Sequence, residues 1–162
     1  MWLRRLLIGG DPMDYIAPGV QAVALREPVT TVSATPCNCA CSGVLHENGT
    51  GTYVLRGGRN GNTAQYQVTG KSNIAVPTGG TVGAIATGIV VNGEVKTASR
   101  AISTPAAVEE YNEATSIATI TVPCGCCAYV SFEPVAASND PTVTPVPVIN
   151  MQDTIVRIVR TA

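Results

Sequence analysis

The chain has 162 residues, 45% of them hydrophobic and only 13% charged, with a formal net charge of −1. This length fits one domain with a real core and a tail. The absence of a basic block excludes an electrostatic footprint for nucleic acid, and no run approaches the ~20 apolar residues of a membrane helix.

The start, "MWLRRLLIGGDP", imitates a secretory leader, with Arg4 and Arg5 ahead of Leu6, Leu7 and Ile8. The apolar run ends at once in Gly9-Gly10-Asp11-Pro12, well short of the roughly 7–15 residues a leader needs. Met13 is an alternative to Met1 as the initiator. Residues 13–36 are divided by Pro18, Pro28 and Pro36, so 1–36 is expected to be an extended arm and 37–162 a β domain.

"PCNCACSG" follows, carrying Cys37, Cys39 and Cys41. The turn residues of "HENGTG" precede "TYVLRGG". In "TAQYQVT", Ala64, Tyr66 and Val68 alternate with Thr63, Gln65, Gln67 and Thr69, the period of a half-buried strand. "NIAVPTGG" is a short strand stopped by Pro77. "TVGAIATGIVVNGEVKTAS" is a hairpin, with Asn92-Gly93 as a type I′ turn between a Val/Ile-rich strand and its return. "TPAAVEEYNEA" is the one helical candidate, with Thr104 as N-cap and Pro105 first in the helix. A turn or irregular strand is the competing reading. "SIATITVP" and "AYVSFEP" alternate as strands and are expected to pair across "PCGCC", which holds Cys124, Cys126 and Cys127. "VAASNDPTVTPVPVIN" is an exposed loop, and "DTIVRIVRTA" a last strand.

Aromatics make up 4% of the chain, so the apolar content is mostly Ala, Val and Ile, and the 16 Gly and 11 Pro demand frequent turns. β-Branched residues suit a pleated sheet. About eight short strands, with turns at regular spacing, predict an all-β antiparallel sandwich or jelly roll. Strand–helix alternation is missing, which argues against a parallel α/β fold.

"GGTVGAIATGIVVNGEV…SIATITVPCGCCAYVSFE…INMQDTIVRIV" resembles the tumour-necrosis-factor-like and complement-head-like jelly roll, including the versions that cap collagen-like spore-surface proteins. "NIAVPTGGTVG", "TPAAVEEY" and "VPCGCC" also resemble prophage-encoded proteins of gut Firmicutes. The resemblance spans residues 37–162. It implies a non-enzymatic binding or structural module, usually a homotrimer. The Gly-X-Y repeat that often precedes such heads is absent, which favours a bacteriophage capsid decoration protein. Its partners would be itself and, through residues 1–36, the major capsid protein or neighbouring virion subunits. The alternative is a bacterial cell- or spore-surface module joined by disulfides.

The six cysteines leave three readings open. Cys37, Cys39 and Cys41 share one face if they lie on a strand. Disulfides closing the long loop between the triplets contribute up to ~4 kcal/mol each. Reduced packing thiols are the second reading. Metal is the third and rests on Cys124 and Cys127, a lone Cys-x-x-Cys without a matching pair. The triplets are expected to meet in space and to act as a staple. No cofactor is called for. His46, the one histidine, sits beside a turn and reads as solvated surface, not as a catalytic base. Glu109, Glu110 and Glu113 could supply paired acids, but read as a solvated face. Asn48-Gly49-Thr50 is a formal glycosylation triplet.

Overall fold

The computed structural model describes residues 12–34 and 43–162. Its strands are β1 (Met13–Ala24), β2 (Val32–Ser33), β3 (Val44–Leu45), β4 (Tyr53–Arg56), β5 (Ala64–Ala75), β6 (Ile85–Val91), β7 (Glu94–Val95), β8 (Ala101–Ser103), β9 (Asn112–Val122), β10 (Cys127–Val135) and β11 (Val148–Arg160). A single 3-10 turn, Thr97–Ser99, is the only helical element among the described residues. One sheet has the order β2-β1-β11-β5-β9 and the other β3-β4-β10-β6-β7, with β8 also on β6. All pairings are antiparallel. From β4 onward the long strands alternate between the sheets, which makes the fold a jelly-roll sandwich.

Period-two alternation decides which side chains enter the core. On β5, Ala64, Tyr66, Val68, Ser72 and Ile74 are buried, while Gln67 and Lys71 between them are exposed. From the other sheet, Tyr53, Leu55, Val130 and Phe132 fill the space opposite. Phe132 lies over Gly70 so closely that a Cβ there would sit 2.5 Å from its ring. Two buried hydroxyl pairs, Thr87–Ser116 (3.0 Å) and Ser72–Thr154 (2.9 Å), satisfy each other inside the sandwich. β6 is buried on both faces, which explains its unbroken apolar run. Its outer face is covered by a second cluster of Ala86, Val90 and Val135 with Val95 and Ala137. Arg26 also reaches this face, bonding the buried Glu133 at 3.3 Å and the Gly93 carbonyl at 2.7 Å. Ser131 donates to the other oxygen of Glu133.

Four expectations need correction. Residues 13–24 are not part of an arm: β1 pairs with β11 along its length, and Tyr15 is fully buried. The sandwich therefore begins well before residue 37. Pro18 and Gly19 obscured the strand because they form a bulge between Ala17 and Val20, opposite a second bulge at Asp153. A bulge is where a central strand can hold a proline that lacks its N–H. Residues 1–11 lie outside the described residues. Second, 104–111 is a loop, because Glu109 has a φ of 58°, which a helix interior does not allow. Third, residues 73–75 are the end of β5 and not a separate strand. Fourth, β9 and β10 do not pair. β9 lies against β5 in one sheet and β10 between β4 and β6 in the other. The turn between them changes sheets.

Candidate functional site

The sheet-changing turn carries three thiols. Cys124, Cys126 and Cys127 are exposed and form no disulfide. The Cys126 amide donates to the Pro123 carbonyl at 3.1 Å, and Gly125 has a φ of 75°. Positive φ at the third position is what a type II turn requires, and only glycine adopts it freely. The turn rests on the end of β4. The Gly57 amide donates to the Cys126 carbonyl at 3.0 Å, and a Cβ on Gly57 would overlap the Pro123 carbonyl oxygen. Cys127 stands opposite Arg56 in the β4–β10 ladder. Among the described residues no group of three His, Cys, Asp or Glu side chains is placed to hold a metal ion. Cys37, Cys39 and Cys41 lie outside the described residues, and so does their expected meeting with the second triplet. Asn92 and Gly93, with φ of 51° and 80°, form the β6–β7 turn, and the Asn92 Oδ1 accepts the Tyr129 amide at 2.9 Å.

His46 is half-buried, not a solvated loop side chain. Its ring stacks on Tyr53 (4.7 Å, 18°) and tilts against Tyr15 (4.7 Å, 59°). Its Nε2 lies 3.0 Å from the Thr50 carbonyl. A carbonyl only accepts, so Nε2 carries the proton. Burial pulls the imidazole pKa below its usual value, which keeps the ring neutral at pH 7. The same burial pushes the Tyr15 hydroxyl up to about 12. Tyr53 is pushed up as well, and its hydroxyl bonds Thr31 Oγ1. This is a packed aromatic cluster at one end of the core.

The acids of "VEEYNE" do not converge. Glu109 Oε1 accepts from the Thr78 amide (2.9 Å), the Thr78 hydroxyl (3.1 Å) and Asn150 Nδ2 (3.1 Å). Its Oε2 accepts from Tyr111 at 3.2 Å. Glu110 accepts the Ala106 amide at 3.1 Å, and Glu113 pairs with Lys71 at 3.7 Å. Glu109 is therefore a clasp joining two loops to the start of β11, and no two of these carboxylates face one reacting centre.

The solvent face of the five-stranded sheet was not singled out from the sequence. The ladder aligns Val32, Ile16, Ile155, Lys71 and Thr115 in one row, and Asp14, Arg157, Thr69 and Ile117 in another. Four of its charges are matched within the subunit. Asp14 and Arg157 form a two-pronged pair at 2.7 and 2.9 Å, and the hydrogen bond from Arg157 holds the Asp14 carboxyl below its usual pKa. Lys71 answers Glu113. The rest of the face is mostly Ile, Val, Thr, Gln and Asn, with Asp153 accepting the Gly19 amide at the bulge. The available signal was the outward half of each alternation, where Thr and Ile stand in place of the usual Lys and Glu.

No protein-family model matches the chain, and no curated protein matches it. Solved structures do. Murine APRIL, in its pH 8.5 crystal structure, superposes with a TM-score of 0.54 at 11% identity, over 93% of this chain and 99% of that one. The pH 8.0 structure of murine APRIL gives 0.53 at 11% identity over the same shares. The globular domain of zebrafish complement 1qA gives 0.49 at 10% identity, over 91% of this chain and 94% of that one. The class defined by the fold is the antiparallel jelly roll. Within it, this chain is similar to the tumour-necrosis-factor-family form that APRIL adopts.

Proposed function

We propose that this chain is a non-enzymatic structural head that self-associates as a homotrimer through the solvent face of its five-stranded sheet. It would serve as a capsid-associated decoration protein on a bacteriophage virion, with residues ahead of β1 docking onto the major capsid protein or its neighbours. The observation that carries the reading is the face itself. Asp14 answers Arg157 and Lys71 answers Glu113, so those four charges can be buried against a copy without being stranded. Ile16 and Ile155 stand side by side on it. The jelly-roll likeness supports a head-type module, and the resemblance to prophage-encoded proteins supports the virion. Weak contacts of such a head, repeated on a lattice, would add through effective concentration.

Sedimentation of the purified chain is expected to give three times the chain mass. Ile155→Lys should weaken association at least about thirtyfold, the ~2 kcal/mol loss of a hot-spot residue. A wild-type chain that stays monomeric, or a lysine variant that stays trimeric, would overturn the face. Mass spectrometry of particles released by the strain that encodes the gene should detect the chain, and its absence there would sink the virion role.

The three exposed thiols favour one second reading, a cell- or spore-surface module cross-linked between subunits. In that case the native assembly runs as a ladder on non-reducing gels and collapses with reductant. A single band in both lanes removes this reading.

A further inference from the structure

We propose that the outer edge of β9 pairs with β9 of a second copy, antiparallel and about a two-fold axis, so that two heads share one continuous sheet. The inference starts from the sheet edges. Three of them end in strands of two or three residues, namely β2, β3, and β7 with β8. Short edge strands are one way proteins blunt an edge. β9 forms the fourth edge and runs eleven residues, Asn112–Val122. Its register with β5 is unbroken from Ala64↔Val122 to Ile74↔Asn112, so no bulge twists it away. It contains no proline and no lysine or arginine, the residues that usually guard an edge. Its outward-pointing backbone groups find no backbone partner among the described residues. A row of alternating donors and acceptors of that length is complementary to one thing, another extended strand.

The side chains specify which strand. A two-fold centred on Ile117 sets Ile117 against itself, Thr115 against Thr119, Ser116 against Ala118, and Glu113 against Thr121. Glu113 is the only charged residue of β9, and in this register it never meets its own copy. Like charges directly opposite are what destabilise such ladders, while matched Thr and Ile pairs support them. Ile117 is 50% exposed in the single head. Ala118 points inward yet is only partly buried, so the sandwich is open along this edge. The pairing uses the backbone edge of β9 and joins heads two by two; because Ile117 also borders the sheet face, the test sets it against Ile155→Lys, a change at the middle of that face and away from the edge.

The test is hydrogen exchange of the β9 amides in reductant, from dilute to concentrated protein. In the wild type, alternate amides of 112–122 should exchange quickly when dilute and become protected as concentration rises. Ile117→Lys and Ile117→Glu should each lose the concentration dependence while melting like the wild type. An equimolar mixture of the two should regain it, because a lysine then faces a glutamate across the axis. Ile155→Lys, which alters the middle of the sheet face two strands from the edge, should leave the concentration-dependent protection of β9 in place, and its loss in that variant would assign the protection to the face and overturn the proposal. Wild-type β9 amides whose exchange ignores concentration would overturn the proposal without any variant. So would a mixture that fails to restore protection.

Discussion

Gly70→Ala is expected to lower stability by about 2–3 kcal/mol, read as a shift in urea midpoint at constant slope. Gly70 has no special backbone angle among those of the chain. Its constraint is space. An added Cβ would lie 2.5 Å from Phe132 Cδ1 and 2.6 Å from Cγ, and Cγ is fixed by the β10 backbone. Phe132 is fully buried, as are Tyr53 and Tyr66, so the ring has nowhere to retreat. Phe132→Ala should cost about 3–5 kcal/mol through lost burial and the cavity left behind. The double variant should cost clearly less than the sum, since the alanine methyl enters space the ring has vacated. A coupling energy near zero in that cycle would show that the two residues do not share this contact.

Gly57→Ala is the second large effect, and it acts on the thiol-bearing turn. The new methyl would overlap the Pro123 carbonyl oxygen and sit 2.7 Å from its carbon. Both partners here are backbone, so relief requires moving β4 away from the turn. That move breaks the Gly57 amide bond to the Cys126 carbonyl. The cost should reach or exceed the ~3 kcal/mol top of the usual overpacking range. Alkylation of Cys124, Cys126 and Cys127 by a bulky maleimide should change rate in the same variant. Wild-type stability with wild-type alkylation rates would mean that the turn does not rest on Gly57 as described.

The all-β jelly roll was legible because β5, β9 and β11 each bury one face, so alternation shows in the letters. The Val/Ile-rich strand ending at Asn92-Gly93 was legible for its composition. β1 was not, because Pro18 and Gly19 are turn residues in any local reading. Only the matching bulge at Asp153, on a strand far along the chain, accommodates them. The wrong pairing of β9 with β10 has a similar cause. A four-residue link suits a hairpin and a sheet change equally, and what decides is which strands already flank each partner. The helix at 104–111 failed on side-chain bonding. Glu109 is held by Thr78, Tyr111 and Asn150, none of which a propensity argument includes. Of the candidate residues, the second cysteine triplet was legible as a cluster, but not its place on a turn that changes sheets. His46 was misjudged because the rings of Tyr15 and Tyr53 that enclose it come from two other strands.

β11 lies between β1 and β5, and its Arg157 grips an aspartate 143 residues earlier. The centre of one whole sheet therefore forms only when β11 arrives. On the ribosome, β1 emerges well before β11 and waits without its central neighbour until β11 follows. Such long-range closure makes folding slow relative to a helical domain of this size. It also makes loss of β11 a lesion of the middle of that sheet and not of its edge.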